Sequence, residues 1–107
     1  MIYVKLYDTE RGPMLAMCDR DLLGKVLEDG DVTLDLKSYR SFYEGDLVPN
    51  DSTADRILMK LKVASANIVG KESIDAAIRS KIIDKGNVKK IKGIPYAQAY
   101  LVETGPL

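Results

Sequence analysis

The sequence predicts an α+β fold, a two-layer sandwich in which two helices pack on one face of a mostly antiparallel sheet. Both ends of the chain alternate apolar and polar residues with the period of a half-buried strand, as in Ile2, Val4 and Leu6. The middle of the chain instead repeats apolar residues at helical spacing. The chain has 107 residues, and we expect one domain spanning residues 1–107.

Strand and turn patterns fill the first half of the chain. Residues 2–6 predict a strand, residues 8–13 a turn, and residues 14–18 the apolar return strand of a hairpin. A helical turn closed by Gly24 follows, and residues 25–28 and 32–37 then flank Asp29-Gly30 as a second hairpin. Residues 38–50 contain Gly45 and Pro49, so we interpret them as a partly irregular segment.

The second half predicts two helices and a final strand pair. The first helix begins at Asp51 or Ser52 and continues to Gly70, which would end it in the left-handed conformation. Its apolar positions are Ile57, Leu58, Leu61, Ala64 and Ile68. The second helix runs from Lys71 or Glu72 to Ile83 and buries Ile74, Ala77, Ile78 and Ile82. Residues 88–92 and 96–102 predict two strands.

Composition excludes several classes of chemistry. The chain has no histidine, which removes every mechanism that needs an imidazole base, and its one cysteine can form neither an internal disulfide nor a thiolate metal site. We therefore predict no metal, no cofactor and no catalytic residue. A single thiol and the lack of a long apolar run favour a cytoplasmic protein without a membrane span.

The two halves of the chain carry opposite charge. Residues 1–55 hold 12 acidic and 6 basic residues, a net −6, whereas residues 56–107 hold 4 acidic and 10 basic residues, a net +6. The basic excess is concentrated in residues 79–92. Such a segment either contacts phosphate or nucleic acid, or is a solvated face that pairs with an acidic surface. The candidate phosphate-binding residues, with one at the start of the second helix, are Lys71, Lys81, Lys85, Lys89, Lys90 and Lys92.

Four short motifs resemble one known family. Cys18-Asp19 before residues 22–25, residues 42–45 before Leu47-Val48, residues 66–71 and residues 93–98 are similar, in the same order, to the archaeal family known as domain of unknown function 424. The motif residues are Cys18, Asp19, Gly24, Lys25, Asn67, Gly70, Gly93, Pro95, Tyr96 and Gln98. The resemblance implies a small archaeal cytoplasmic α+β protein with no established activity and a role near RNA or translation.

One position departs from that family. The family commonly has histidine where this chain has Tyr96. A phenol with a pKa near 10 does not replace a base that works near pH 7. The resemblance is therefore compatible with stacking or hydrogen bonding at this position, but not with an essential imidazole.

Two motifs have alternative catalytic or binding interpretations. Gly70-Lys71-Glu72-Ser73 is similar to the loop with which KH domains clamp a nucleic-acid backbone, but the fourth glycine is missing, and an ordinary helix end explains Gly70. Cys18 lies near Arg20 and Lys25, which would favour a thiolate nucleophile, whereas a buried thiol would pack as a small apolar group.

Asn67 and Gln98 are polar residues in apolar surroundings. Either could bind a ligand; alternatively Asn67 satisfies a backbone group near a helix end and Gln98 faces water. The strand patterns also place Tyr3, Lys5 and Tyr7, together with Tyr96, Gln98 and Tyr100, on the face away from the helices. That surface would stack unpaired bases, pair its tyrosines across strands, or form a homodimer interface.

Three functional hypotheses follow. The first is a non-enzymatic module that binds RNA or a ribosome-associated protein through the basic segment and the tyrosine face. The second is a protein–protein adaptor or homodimer in which acidic and basic halves pair between chains. The third is an enzyme that binds a nucleotide or phosphate through Lys71, Asn67 and backbone amides.

Overall fold

The computed structural model describes residues 1–101. In chain order its elements are β1 (Ile2–Thr9), β2 (Gly12–Asp19), β3 (Val26–Asp29), β4 (Val32–Asp35), α1 (Arg40–Tyr43), β5 (Asp46–Val48), α2 (Ser52–Leu58), β6 (Ser65–Val69), α3 (Lys71–Arg79), β7 (Lys89–Ile91) and β8 (Ile94–Tyr100). No helix among these is long and apolar enough to cross a membrane. The predicted end of the last strand, Val102, lies outside the described residues.

A six-stranded sheet organises the molecule, in the order β5-β1-β2-β6-β8-β7. Every neighbouring pair is antiparallel except β2 and β6, which run parallel. The predicted α+β class, mostly antiparallel sheet and two helices on one face are confirmed. Buried residues of α2 and α3 form one apolar cluster with alternate residues of the strands, including Leu15, Met17 and Ile68, none of them exposed.

The opposite face of the sheet is partly covered by a second layer. The β3–β4 hairpin forms a separate two-stranded sheet, and together with α1 it packs over Ala16, Cys18 and Val69. Leu36 and Tyr43 supply the buried apolar groups of this layer. The sheet face away from the helices, which the sequence predicts to be exposed, is therefore exposed only in part.

The predicted start of the first helix at Asp51 or Ser52 is confirmed, but its predicted continuation to Gly70 is wrong. Helix α2 ends at Leu58, and residues 65–69 form β6, an interior strand between β2 and β8. Ile57 and Ile68 therefore do not share a helical face: Ile57 is 39% exposed, whereas Ile68 is fully buried. Short apolar segments fit either period, and pairing on both sides made this one a strand.

The second helix is shorter than predicted, because α3 ends at Arg79 rather than at Ile83. Lys81 takes the left-handed conformation, with φ 60°. The backbone N–H of Ile82 donates to Ala77 O at 2.9 Å and that of Lys81 donates to Ile78 O at 3.0 Å. This is the Schellman pattern, here with lysine where glycine is usual. Ile82 is buried as predicted, but it lies beyond the helix, as does Ile83, which is also buried.

Asp19 connects the end of β2 to the beginning of α3. Its Oδ1 accepts hydrogen bonds from the Ser73 amide and hydroxyl, both at 2.8 Å, and its Oδ2 accepts from the Glu72 amide at 3.1 Å. Gly70 lies between, with φ 110°, and a Cβ there would collide with the Asp19 carboxylate. Gly70 thus precedes α3 instead of ending a helix, and only glycine leaves room for the carboxylate.

Asp19 is 8% exposed, and burial raises the pKa of its carboxyl group above the ordinary value. Hydrogen bonds from Ser73 and Glu72 act in the opposite direction because they favour the charged form, while the nearby Glu72 charge adds to the increase. The dipole of α3 also favours a carboxylate at this end. Asp19 is thus a buried acid held by a specific set of donors.

Substitution of the two isoleucines tests the corrected assignment of residues 51–70. Ile68→Ala should lower the free energy of unfolding by about 2–5 kcal/mol, because it leaves a cavity in the core. Ile57→Ala should cost about 1 kcal/mol or less, because much of that side chain is already in water. Urea denaturation measures both values. Equal losses for the two variants would contradict the strand assignment.

Gly70→Ala should destabilise the protein by more than about 3 kcal/mol, because it combines positive φ with a collision against Asp19. Gly93→Ala is the matched control, since Gly93 also has positive φ, 78°, but has no atom within 4 Å of an added Cβ. That change should cost about 1–2 kcal/mol.

The double variant Asp19→Ala/Gly70→Ala isolates the contact itself. Removing the carboxylate relieves the collision, so the double loss should fall short of the sum of the single losses by about 0.5–3 kcal/mol. Additive losses in urea denaturation would show that Gly70 is required for its backbone conformation alone.

Candidate nucleic-acid interface

The residues of the predicted tyrosine face are Tyr3, Lys5, Tyr7, Tyr96, Gln98 and Tyr100. The strand register arranges them in three rows that cross four strands. The rows are Tyr3-Cys18-Val69-Tyr96, Lys5-Ala16-Asn67-Gln98 and Tyr7-Met14-Ser65-Tyr100, each in the order β1-β2-β6-β8. The six residues named from the sequence do share one face, but the strands β2 and β6 separate the β1 members from the β8 members.

The second layer removes the β1 side of this face from contact with a ligand. The Tyr7 hydroxyl donates to Phe42 O at 2.7 Å, and the two rings stack with centroids 5.1 Å apart. Lys5 Nζ donates to Ser41 O at 2.8 Å. Tyr96, at the other side, is half-buried against the apolar cluster beneath the hairpin. Tyr7 and Tyr96 are thus mainly packing residues.

Part of β8 and its neighbours remains accessible, and we call this area the open patch. Its residues are Met14, Ser65, Asn67, Gln98 and Tyr100. Tyr100 is 80% exposed, and Gln98 is also exposed. The open patch therefore offers one aromatic ring and two side-chain amides on a rigid part of the sheet.

Five predicted lysines lie between the end of α3 and the β7–β8 turn, and we call this set the basic edge: Lys81, Lys85, Lys89, Lys90 and Lys92. All five are exposed, and within residues 1–101 none lies within 4 Å of a carboxylate. Lys89 pairs with Tyr96, so it lies on the face of the open patch, whereas Lys90 pairs with Pro95 and lies on the helix side. Strand β7 is an edge strand, so these lysines also discourage pairing with another sheet.

Lys71 is separate from the basic edge. Its Nζ lies 3.3 Å from the Asp75 carboxylate, one turn along α3. The amides of Glu72 and Ser73, which would bind a phosphate at this helix start, already donate to Asp19. Neither the KH-like interpretation of residues 70–73 nor phosphate binding through Lys71 and nearby amides is favoured by this arrangement.

Cys18 has the environment of a packing residue. Burial, and secondarily the charge of Asp19, raises the pKa of its thiol to about 12. Its Sγ is fully buried and donates to Asp19 O at 3.3 Å. A thiol with that pKa is almost entirely protonated at neutral pH, which argues against a nucleophilic role.

Four other motif residues position the backbone. Gly24 donates its N–H to Leu36 O at 2.9 Å, and Lys25 O accepts from the Leu36 amide at 2.8 Å, which closes the base of the hairpin. Gly93 occupies the second place of the β7–β8 turn after Lys92, both with positive φ, as a type I′ turn requires. Pro95 O accepts from the Gly70 amide at 2.8 Å.

Asn67 lies in the middle of β6, so the interpretation that it satisfies a backbone group at a helix end is wrong. Gln98 faces water from β8, as the structural alternative predicted. Sequence reasoning missed Met14 and Ser65 as members of the open patch; the alternation of Ser65 and Asn67 with buried Ala66 and Ile68 was the available signal. Over the described part of the chain, acidic and cysteine side chains form no cluster suited to a metal ion.

Comparisons with known proteins agree with this architecture. No curated protein matches the sequence. A crystal structure of an uncharacterized conserved protein from Methanopyrus kandleri has a similar fold, with a TM-score of 0.78 and 22% identity over 99% of this chain and 96% of that one. The model of the protein family of unknown function DUF424 matches residues 7–102, and the chain belongs to that family.

Proposed function

We propose that this protein binds single-stranded RNA without catalysing a reaction, using the basic edge for phosphates and the open patch for bases. The observation that carries the proposal is that β8 has unpaired lysines beside its first residues, on β7, and exposed Gln98 and Tyr100 farther along the same strand. Lysines without carboxylate partners release counterions when they contact phosphates, which favours binding. We propose the cytoplasm of an archaeal cell, where RNA is available and Cys18 would stay reduced, as the setting.

Tyr100 supplies the second element of the proposal. An aromatic side chain on a sheet surface stacks an unpaired base, and such stacking contributes about 1–3 kcal/mol per base. A base in a duplex cannot reach this position, because its faces are already stacked. The exposed ring therefore favours single strands, loops or ends over duplex RNA.

The binding should be weak and salt-sensitive. With about four phosphate contacts and a single strand, log K should fall against log salt with a slope near −3. Non-specific affinity of this kind corresponds to a dissociation constant on the order of 10⁻⁴ to 10⁻⁶ M.

Neutralising three lysines of the basic edge tests the phosphate contacts. The variant Lys89→Gln/Lys90→Gln/Lys92→Gln should weaken binding to a mixed-sequence single-stranded RNA and bring the slope to about −1, because three lost phosphate contacts release about two fewer counterions. Fluorescence anisotropy between 50 and 300 mM salt measures affinity and slope together.

A matched control keeps the change in net charge while altering other sites. Lys37→Gln/Lys60→Gln/Lys62→Gln also removes three exposed lysines, and the slope should stay near −3. Equal weakening by both triple variants would mean that only net charge attracts RNA. No binding by the unaltered protein at 50 mM salt and high micromolar concentration would reject the proposal.

A groove on the helix side favours a second candidate function, self-association. Two depressions of about 500 Å³ and 230 Å³ meet beyond the end of α3 and share Lys81, Ile82 and Leu101. Met59, 71% exposed, also lines the groove, as does Leu58. The groove is lined by apolar side chains such as Leu58 and Ile82, by Lys81 and Lys85, and by the acidic Asp84.

The β3–β4 hairpin of a second copy is the occupant that fits this groove. Its tip carries the exposed apolar residue Val32 beside the exposed acids Asp29 and Asp31, and Asp29 and Val32 are directly opposite each other in the ladder. Val32 would meet apolar residues of the groove while the carboxylates approach Lys81 and Lys85. This pairing would bring the acidic part of one chain to the basic part of another.

Charge reversal tests the dimer. The unaltered protein should associate at 50 mM salt and dissociate at 500 mM, since exposed charges are screened within about 10 Å or less. Lys81→Glu/Lys85→Glu and Asp29→Lys/Asp31→Lys should each be monomeric in sedimentation, whereas a mixture of the two variants should form a heterodimer. A monomer under all conditions, with no heterodimer, would exclude self-association.

A further inference from the structure

We propose that the amide pair Asn67–Gln98 reads the base that stacks on Tyr100, and that this base is adenine. The inference rests on the proposed RNA binding and gives it a base preference. Gln98 would contact the base, and Asn67 would act as a positioning residue that orients the Gln98 amide.

The register places the two amides side by side. Asn67 on β6 and Gln98 on β8 are directly opposite each other in the antiparallel ladder. The Cβ atoms of such pairs are about 4.5–5.5 Å apart, so the amides reach one another and a shared ligand. Asn67 lies on an interior strand, and Gln98 is held opposite it by the continuous β6–β8 ladder from Ser65–Tyr100 to Val69–Tyr96.

The hydrogen-bonding capacity of both amides is largely unused. Asn67 Nδ2 has one weak partner, Met14 Sδ at 3.6 Å. Gln98 makes no side-chain hydrogen bond to any residue among 1–101. Two adjacent amides with free donors and acceptors are what a polar ligand edge requires.

The surroundings define where a base would lie. Tyr100 is two residues along β8 on the same face, about 7 Å from Gln98 along the strand. Tyr96 and the second layer close the other end of the face. A base that stacks on the Tyr100 ring therefore turns one edge toward Gln98.

The chemistry of a primary amide selects among the bases. The Gln98 carbonyl oxygen would accept from the adenine N6 amino group while its amide nitrogen donates to N7, the bidentate pairing typical of Gln and Asn. Asn67 is half-buried, so it is less able to approach a base and better placed to hydrogen-bond Gln98.

Homopolymer oligonucleotides test the preference. Twelve-nucleotide strands of A, U and C are titrated by fluorescence anisotropy at 100 mM salt, and the A strand should bind about 5- to 150-fold tighter. An A strand with 7-deazaadenine throughout retains its stacking surface but lacks N7. It should lose most of that advantage, which separates hydrogen-bonded reading from the stronger stacking of purines.

Substitutions test the role of each residue, and those at Gln98 and Asn67 keep the size of the side chain similar. Gln98→Met should abolish the preference for A over U, and Asn67→Leu should reduce it, while the affinity for the U strand stays unchanged in both. Tyr100→Ala should weaken binding to all three strands, whereas Tyr39→Ala, at a tyrosine that is 64% exposed and away from the open patch, should weaken none.

The outcomes distinguish the two proposals. Binding to all strands with equal affinity, or a preference that survives 7-deazaadenine or Gln98→Met, would overturn the base reading and leave RNA binding intact. A uniform loss of affinity in Asn67→Leu, with a lower melting temperature, would give Asn67 a purely structural role. No binding to any strand would overturn both proposals.

Discussion

The Asp19 carboxylate is the contact on which the arrangement of sheet and helices depends. β2 and β6 run parallel and end side by side, and the chain leaves β6 through Gly70 directly into α3. Asp19, from the end of β2, satisfies two amides at the start of that helix and so fixes where α3 begins above the sheet. Gly70 is required because a side chain there would occupy the space of the carboxylate. A cap this specific is consistent with a structural role for both motif residues.

This arrangement divides the surface into areas with different uses. The larger apolar cluster covers the helix side of the sheet, and the second layer covers part of the other side. Within residues 1–101, the open patch and the margins are the parts of the sheet itself that remain accessible. The charge segregation along the sequence is only partly spatial, because β3 of the acidic hairpin contacts β7 of the basic edge. The two proposed functions use different parts of the lysine set.

Local patterns predicted the outer parts of the fold and failed at its centre. The first hairpin, the second hairpin and the final strand pair each carry turn residues, such as Asp29-Gly30 and Gly93, that specify the connection locally. Residues 65–69 carry no such signal. Their apolar residues, with Ile57 and Leu58 before them, fit a helix as well as a strand. The choice was made by β2 and β8, which offer backbone partners on both sides of β6.

The sequence by itself determined the fold class, the absence of imidazole chemistry, the charge separation and the common face of the tyrosines, since these follow from composition and from the two-residue period of strands. Tertiary structure alone decided which of these side chains a ligand can meet. Tyr7 and Tyr96 were covered by elements distant in sequence, while Asn67 and Gln98 became neighbours through the pairing of strands about thirty residues apart. Exposure and long-range pairing depend on what else packs nearby, and a local pattern contains no information about either.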